Sequence, residues 1–199
     1  MNNQNNSKDN LLKSAITLFS QKGFENTGIS ELVQMAGVTK PTLYYFFQSK
    51  EGIYKEILKQ YYGRFNTILT EKSVYIPNTK EYKKDVYPIL LKIVKSYFEF
   101  AENNKEFYMM ILSLSFAPPT AQSTVMTEPY NIEQYKIITK LFKDISKEHG
   151  NLKDKESQNA CHFVAMINAN IAFWYQNHGE IDDSKAEMIV HHFMHGMFV

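Results

Sequence analysis

The stretch Ile29-Ser30-Glu31-Leu32-Val33-Gln34-Met35-Ala36-Gly37-Val38-Thr39-Lys40-Pro41-Thr42-Leu43-Tyr44-Tyr45-Phe46-Phe47 holds two short amphipathic segments on either side of Gly37-Val38. Helical spacing turns Leu32 and Met35 toward a preceding helix, and Ala36 is small enough for two helices to cross closely. Gly37 can adopt the left-handed backbone that reverses the chain, and Val38 is expected to anchor the turn in the core. Thr39 stands where it can cap the next helix, and Pro41 falls in the first turn, where a missing N–H is harmless. Leu43 and Phe47 repeat at i and i+4 on the side expected to be buried. The opposite side carries Lys40, Thr42, Tyr44 and Tyr45. A lysine can donate to guanine O6 or N7, a threonine can bond a base edge or press its methyl on thymine, and tyrosines can donate to phosphate oxygens. Such a helix-turn-helix sets its second helix in the major groove of DNA. Lys50, at the start of the following helix, adds a cation where free N–H groups also favour phosphate.

Outward from this stretch, periodicity is helical and no strand pattern bounded by hairpin turns stands out. Leu11, Leu12, Ala15, Ile16, Leu18 and Phe19 form one apolar stripe, predicting a helix over about 8–22 with Ser7 as its cap and Gly23 as its stop. Short helices are expected over 29–36 and 40–47, and a longer one from Ser49. Beyond Arg64, helices are expected over about 81–102 (with Pro88 kinking it or delaying its start), 105–116, 124–149, 155–178 and 184–198. Pro118-Pro119, Gly150, Gly179 and Asp182-Asp183 supply the breaks. The expected architecture is all-α, with about nine helices: a polar arm at 1–6, a helix-turn-helix head over 7–64, and a helical bundle over 65–199 joined to it by a long helix.

Composition agrees with such a protein. A chain of 199 residues that is 44% hydrophobic can bury a sizeable core. The net charge is only +1, yet through Arg64 eight Lys and Arg face five Asp and Glu, so the positive excess lies at the end that carries the motif. The polar start carries no secretory or transit pattern, and no run of about 18 apolar residues suggests a membrane span, so a cytoplasmic location is expected. The lone Cys161, set in an apolar context, is expected to be a buried structural thiol. Neither a glycine-rich phosphate loop, a Gly-x-Ser-x-Gly elbow nor a His-Glu-x-x-His motif occurs, and no enzymatic activity or cofactor is expected.

The chain resembles the TetR family of transcriptional regulators over about residues 11–58. The resemblance rests on Ala15, Leu18-Phe19, Gly23-Phe24, Thr27, Ile29, Leu32, Ala36-Gly37-Val38-Thr39, Leu43-Tyr44, Phe47 and Ser49-Lys50-Glu51. It implies DNA-contacting positions at Thr27, Thr39, Lys40, Pro41, Thr42, Tyr44, Tyr45 and Lys50. Two positions depart from the pattern: Gly28 stands where a capping Ser or Thr is frequent, and Phe46 where Tyr or His often reaches a phosphate.

The same resemblance implies a homodimer joined through the last two helices, which binds a palindromic operator in double-stranded DNA and a small effector in the C-terminal interior. Apolar stripes for the dimer contact are available at Phe163, Ile167, Ile171 and Trp174, and at Ile189, Phe193 and Phe198. An apolar, aromatic-walled pocket could draw on Tyr97, Phe98, Phe107, Tyr108, Met110 and Phe116 from the middle of the chain. Tyr135, Phe142, Phe163, Met166, Asn170 and Trp174 could complete it, Asn170 being an amide in apolar company that requires a partner. His191 and His195 are four apart on one helix, but no further ligand set accompanies them at recognisable spacing, and no metal is expected. The expected function is a repressor released from DNA by a hydrophobic or aromatic effector. Two alternatives stand beside it: a helical carrier or enzyme that does not use its head, and a DNA-binding dimer with no effector.

Overall fold

The computed structural model describes the backbone of residues 2–196 and the side chains of residues 6–81 and 84–196. It contains α1 (Asn2–Lys22), α2 (Ile29–Ala36), α3 (Lys40–Phe47), α4 (Lys50–Lys72), α5 (Tyr82–Asn103), α6 (Lys105–Leu112), α7 (Gln122–Ser146), α8 (Glu156–Tyr175) and α9 (Asp183–His195). Short 3-10 segments cover Ser113–Phe116 and Gly150–Leu152, and no strand occurs among the described residues. None of the described helices is long and apolar enough to cross a membrane. The all-α expectation holds, and α2 and α3 have the bounds read from the sequence.

Several ends differ from expectation. α1 already runs from Asn2, so Ser7 is an interior residue and the polar arm is largely helix; Met1 lies outside the described residues. The helix expected to reach Phe116 tightens into a 3-10 turn after Leu112. α8 stops at Tyr175 because Asn177 takes a left-handed backbone (φ 60°), two residues before Gly179. Pro88 and Pro129 both sit inside continuous helices, at exposed positions. The expected end of the last helix and its Phe198 fall outside the described residues.

The chain divides into two compact units. The first comprises Met1–Gly63 and Asn104–Tyr130, the second Arg64–Asn103 and Asn131–Val199. α6 and the first turns of α7 group with the head, which contiguous sequence does not reveal.

In the first unit, α1 lies against α2, α3 and α6. Its stripe of Leu11, Ala15, Leu18 and Phe19 is buried with Leu32, Leu43, Ile53 and Ile57. Phe19, Phe24 and Tyr54 form a ring cluster with centroids 4.9 to 5.5 Å apart, a geometry that adds to area burial. Tyr54 is completely buried and its hydroxyl shares a 3.0 Å hydrogen bond with Thr127 Oγ1. Burial pushes its pKa up to about 12, so the phenol stays protonated. Glu25 accepts from the backbone N–H (3.0 Å) and hydroxyl (2.7 Å) of Ser123, tying the start of α7 to the end of the α1–α2 loop.

In the second unit, α5 packs against α8 and α9. Ile93, Val94, Tyr97, Ile167, Ile171 and Val190 are buried there, and the rings of Phe142, Phe163 and Phe193 meet at 4.8 to 6.0 Å. Asp85, its side chain wholly buried, organises the α4–α5 connection. It accepts from the Tyr75 hydroxyl (2.8 Å) and the Asn78 N–H (2.8 Å), and lies 2.6 Å from His149 Nε2. Burial alone would raise its pKa; the bonds from Asn78, Tyr75 and His149 outweigh that and hold it below the ordinary carboxylate value.

Candidate nucleic-acid interface and C-terminal cavity

The head's site is built on local rules. Gly37 closes α2 with φ 65°, and its N–H and that of Val38 satisfy the last carbonyls of the helix. Thr39 is the N-cap of α3: its Oγ1 accepts from Thr42 N at 3.4 Å and lies 2.9 Å from Thr42 Oγ1. Leu43 and Phe47 are buried, as their spacing predicts. Ser49 caps α4 by accepting from Gly52 N at 3.1 Å. A Cβ on Gly52 would fall 1.8 Å from the Phe47 carbonyl oxygen, so the turn from α3 into α4 closes only over a glycine.

These features leave one face of α3 outward. Thr39, Lys40, Pro41, Tyr44 and Tyr45 are exposed, Tyr45 at 72%, and Thr42 is half-buried among them. Tyr44 and Tyr45 are exposed next to one another, and it is contiguous exposed patches that mark interaction sites. Phe46 is half-buried with its ring edge-on to Tyr45 at 5.0 Å.

Two further residues expected at the interface, Thr27 and Lys50, have partners within the head. Thr27 is buried, and its hydroxyl donates to the Gly23 carbonyl at 2.8 Å, which holds the loop before α2. Lys50 donates to the Phe24 carbonyl at 2.8 Å and lies 4.1 Å from the centre of the Phe24 ring, so its ammonium is used inside the head. Met35 is half exposed, not turned to α1, because Leu32, Val33 and Ala36 already fill that contact; Val38 is only half-buried. α2 has no side-chain cap at Gly28, as the departure there implied, so its first N–H groups and the exposed Ser30 escaped the sequence reading as possible phosphate ligands.

The aromatic residues expected to wall a single pocket are dispersed. Phe107, Tyr108 and Met110 are buried in the first unit, where Phe107 stacks on Tyr61 at 4.5 Å. Phe116 is 98% exposed. Tyr97 and Phe98 belong to the core of the second unit, Tyr97 meeting Phe65 at 4.8 Å, while Tyr135 and Trp174 are half-buried. Asn170 satisfies its amide within its own helix, donating to the Met166 carbonyl at 2.9 Å. Phe163 is buried against Phe142 and Phe193.

The second unit does contain a cavity of about 660 Å³ between α5, α7, α8 and α9, which shares only Phe142 and Met166 with the expected set. Val86, Leu90, Phe193 and Met194 extend its apolar wall; His149, Asn151, Asn159, His162 and His192 are its polar lining. The last two helices also present an outer face. Phe163, Ile167, Ile171 and Ile189, expected in a dimer contact, are buried within the chain, whereas Ala169 and Phe173, in line with the cavity-lining Ala165, are exposed on α8 and Met188 is exposed on α9. Cys161 lies on that exposed side, contrary to expectation, because Phe163, Val164, Ile167 and Ile171 define the buried face of α8. The rings of His191 and His195 are 5.0 Å apart, and among the described residues no three His, Cys, Asp or Glu gather as a metal site.

Comparison with known proteins identifies this arrangement. Residues 11–57 match the pattern of the bacterial regulatory proteins of the tetR family. The chain is 28% identical over 188 residues to the biofilm operon icaADBC HTH-type negative transcriptional regulator IcaR of Staphylococcus aureus, covering 90% of this chain and 91% of that one. It is 37% identical over 100 residues, half of each chain, to the HTH-type transcriptional regulator YdgC of Bacillus subtilis. Its fold is similar to that of a Clostridium perfringens putative fatty acid metabolism regulator (TM-score 0.78, 20% identity, 96% and 99% coverage). It is also similar to FadR of Bacillus subtilis in complex with stearoyl-CoA (TM-score 0.74, 14% identity, 95% and 98% coverage). Residues 11–57 thus carry the pattern of the tetR family of bacterial regulatory proteins, and the chain is similar to these transcriptional regulators along nearly its whole length.

Proposed function

We propose that this regulator is a homodimeric repressor whose α3 face, Thr39 to Tyr45, reads a palindromic operator and which a small molecule releases. The observation that carries the DNA reading is the outward set of Lys40, Tyr44 and Tyr45 on a short helix whose other side is locked by Leu43 and Phe47. Preorganised side chains on a rigid element can meet base edges and phosphates with little ordering cost. The uncapped start of α2 at Gly28 offers N–H groups to a backbone phosphate. Thr27 and Lys50 act from behind, by fixing the loop and the start of α4. Repression accords with the negative regulator that resembles this chain over most of its length.

The exposed Ala169 and Phe173 on α8, with Met188 on α9, support pairing of α8 and α9 with a second copy. Two heads then meet successive half-sites. Release would follow if the effector binds a form of the dimer unsuited to successive grooves more tightly than the DNA-bound form. The cavity supports a small-molecule effector, and a protein of this fold is known bound to stearoyl-CoA. The test is electrophoretic mobility of duplex from the gene's own upstream region at low salt. A retarded complex that Lys40→Ala and Tyr44→Ala abolish, with dimerisation unchanged, is expected. Silence of both substitutions would favour a carrier that does not use its head.

A further inference from the structure

The cavity's lining specifies more than hydrophobicity. No carboxylate and no lysine or arginine lines it; its polar groups are three imidazoles and two carboxamides. An imidazole donates an N–H whether neutral or protonated, and a carboxamide donates two. Asp85 accepts from His149 Nε2 at 2.6 Å, so the N–H of this ring is spent on a buried anion and the donors left to the cavity are Asn151, Asn159, His162 and His192. Asn159 is the telling residue. Its Nδ2 is closed to solvent and has no hydrogen-bond partner among the described residues, a condition that costs stability and that a turn of the side chain toward a bound acceptor would relieve. The opposite wall, Val86, Leu90, Phe142, Phe193 and Met166, is apolar.

We propose that this cavity takes an amphipathic anion: an apolar body lying on Phe142, Phe193 and Met166, and a carboxylate-like head that accepts from Asn159, His162 and His192. Hydrogen bonds to an ionised acceptor are about twice as strong as those between neutral groups, which favours a charged head over a hydroxyl at such a donor set. A cationic head would find no counter-charge in the lining. The assignment rests on the effector reading above and narrows its ligand class. It departs from an aromatic cage, which would suit a cation.

The test uses the full-length dimeric protein without DNA, with the fluorescent anion 1-anilinonaphthalene-8-sulfonate as reporter. Decanoate, decanol and decylamine, equal in chain length and different in head, are titrated as displacers. Decanoate is expected to displace the reporter at least tenfold more tightly than decanol, with decylamine weakest. Asn159→Leu removes the unpartnered amide, so it should raise the melting temperature of the ligand-free protein while weakening decanoate about tenfold and leaving decanol unchanged. A merely structural role for Asn159 would not move acid and alcohol apart. Met166→Trp fills the apolar side and should weaken all displacers together. Equal displacement by decylamine and decanoate, or Asn159→Leu without effect on the acid, overturns the proposal. Operator release is then measured separately: decanoate binding with the operator still held supports the site and refutes only its role as trigger. Release by another compound that ignores Asn159→Leu preserves the effector reading and overturns this site.

Discussion

The head and the C-terminal unit both bury aromatic residues, yet they use their polar groups in opposite ways. On α3 the polar side chains stand on the outside of a tightly specified turn, and the buried side is spent on Leu43 and Phe47. In the C-terminal unit the outer face of α8 is apolar and small, while imidazoles and carboxamides line the cavity. A surface that meets a polyanion needs exposed donors held rigidly, whereas a site that takes a small molecule needs a few donors gathered beside an apolar wall. The two regions thus divide recognition by shape, an outward helix face in one and a concave cavity in the other.

The severest way to break the head's side of this contrast is Gly52→Ala. Because its Cβ would collide with the Phe47 backbone oxygen, α3 or α4 must shift, and a loss on the order of 3 kcal/mol is expected. Urea denaturation should show it, and operator binding should disappear, while reporter binding in the C-terminal cavity should persist. Loss of both functions together would show that the two units do not act independently.

Next in size is Asp85→Asn in the C-terminal unit, expected to cost roughly 2 to 3 kcal/mol because Tyr75, Asn78 N–H and His149 lose an ionised acceptor. The folded pKa of Asp85 lies below its unfolded value. Its stabilisation is therefore complete above the unfolded pKa and is lost as pH falls through the folded one. Thermal melts from neutral to acid pH should accordingly show the wild type converging on the variant only at the acid end. A constant gap across that range would mean that the carboxylate's charge is irrelevant.

Lys40→Ala sharpens the comparison from the DNA side. It should weaken operator binding by roughly 1 to 3 kcal/mol, with no change in melting temperature, since Lys40 is exposed and makes no ion pair among the described residues. If Lys40 meets a phosphate instead of a base, the salt dependence of log K should fall by about one unit of slope and sequence preference should be kept. Filter binding at several salt concentrations separates these cases.

Smallest are Thr39→Ala, which removes a cap worth about 1 kcal/mol, and Glu25→Gln, which weakens the tie to Ser123. The Glu25 carboxyl is also held below its ordinary pKa; burial alone would raise it, and the bonds from Ser123 prevail. It is largely exposed, so screening limits the expected loss to about 1 kcal/mol. Chemical denaturation at neutral pH should rank these two below Asp85→Asn.

How far the sequence could be read follows the same division. Gly37, Thr39, Pro41 and Ser49 act on groups within four residues of themselves, so the bounds of α2 and α3 and the cap of α4 were legible in one dimension. The outward side of α3 followed from the burial of Leu43 and Phe47 at i and i+4. The partners of Thr27 and Lys50, Gly23 O and the Phe24 carbonyl and ring, were not legible because they depend on how the α1–α2 loop folds back. Met35 was expected inward because a two-residue pattern cannot say which of several apolar side chains wins a crowded contact.

The aromatic pocket failed for a more general reason. A 3.6-residue period says that Phe107, Tyr97 and Phe163 point inward, but not into which interior, and helices joined in sequence part company here: α6 belongs with the head while α5 belongs with the bundle. The amino-acid sequence alone determined the helical class, the helix-turn-helix and the chemistry of its outer face, because each rests on hydrogen bonds and packing between near neighbours. Only the tertiary structure decided which side of α8 is buried, that Asn170 is satisfied by its own helix, and that Asn159 and the histidines share a cavity. Those outcomes depend on long-range contacts whose pairing no local spacing encodes.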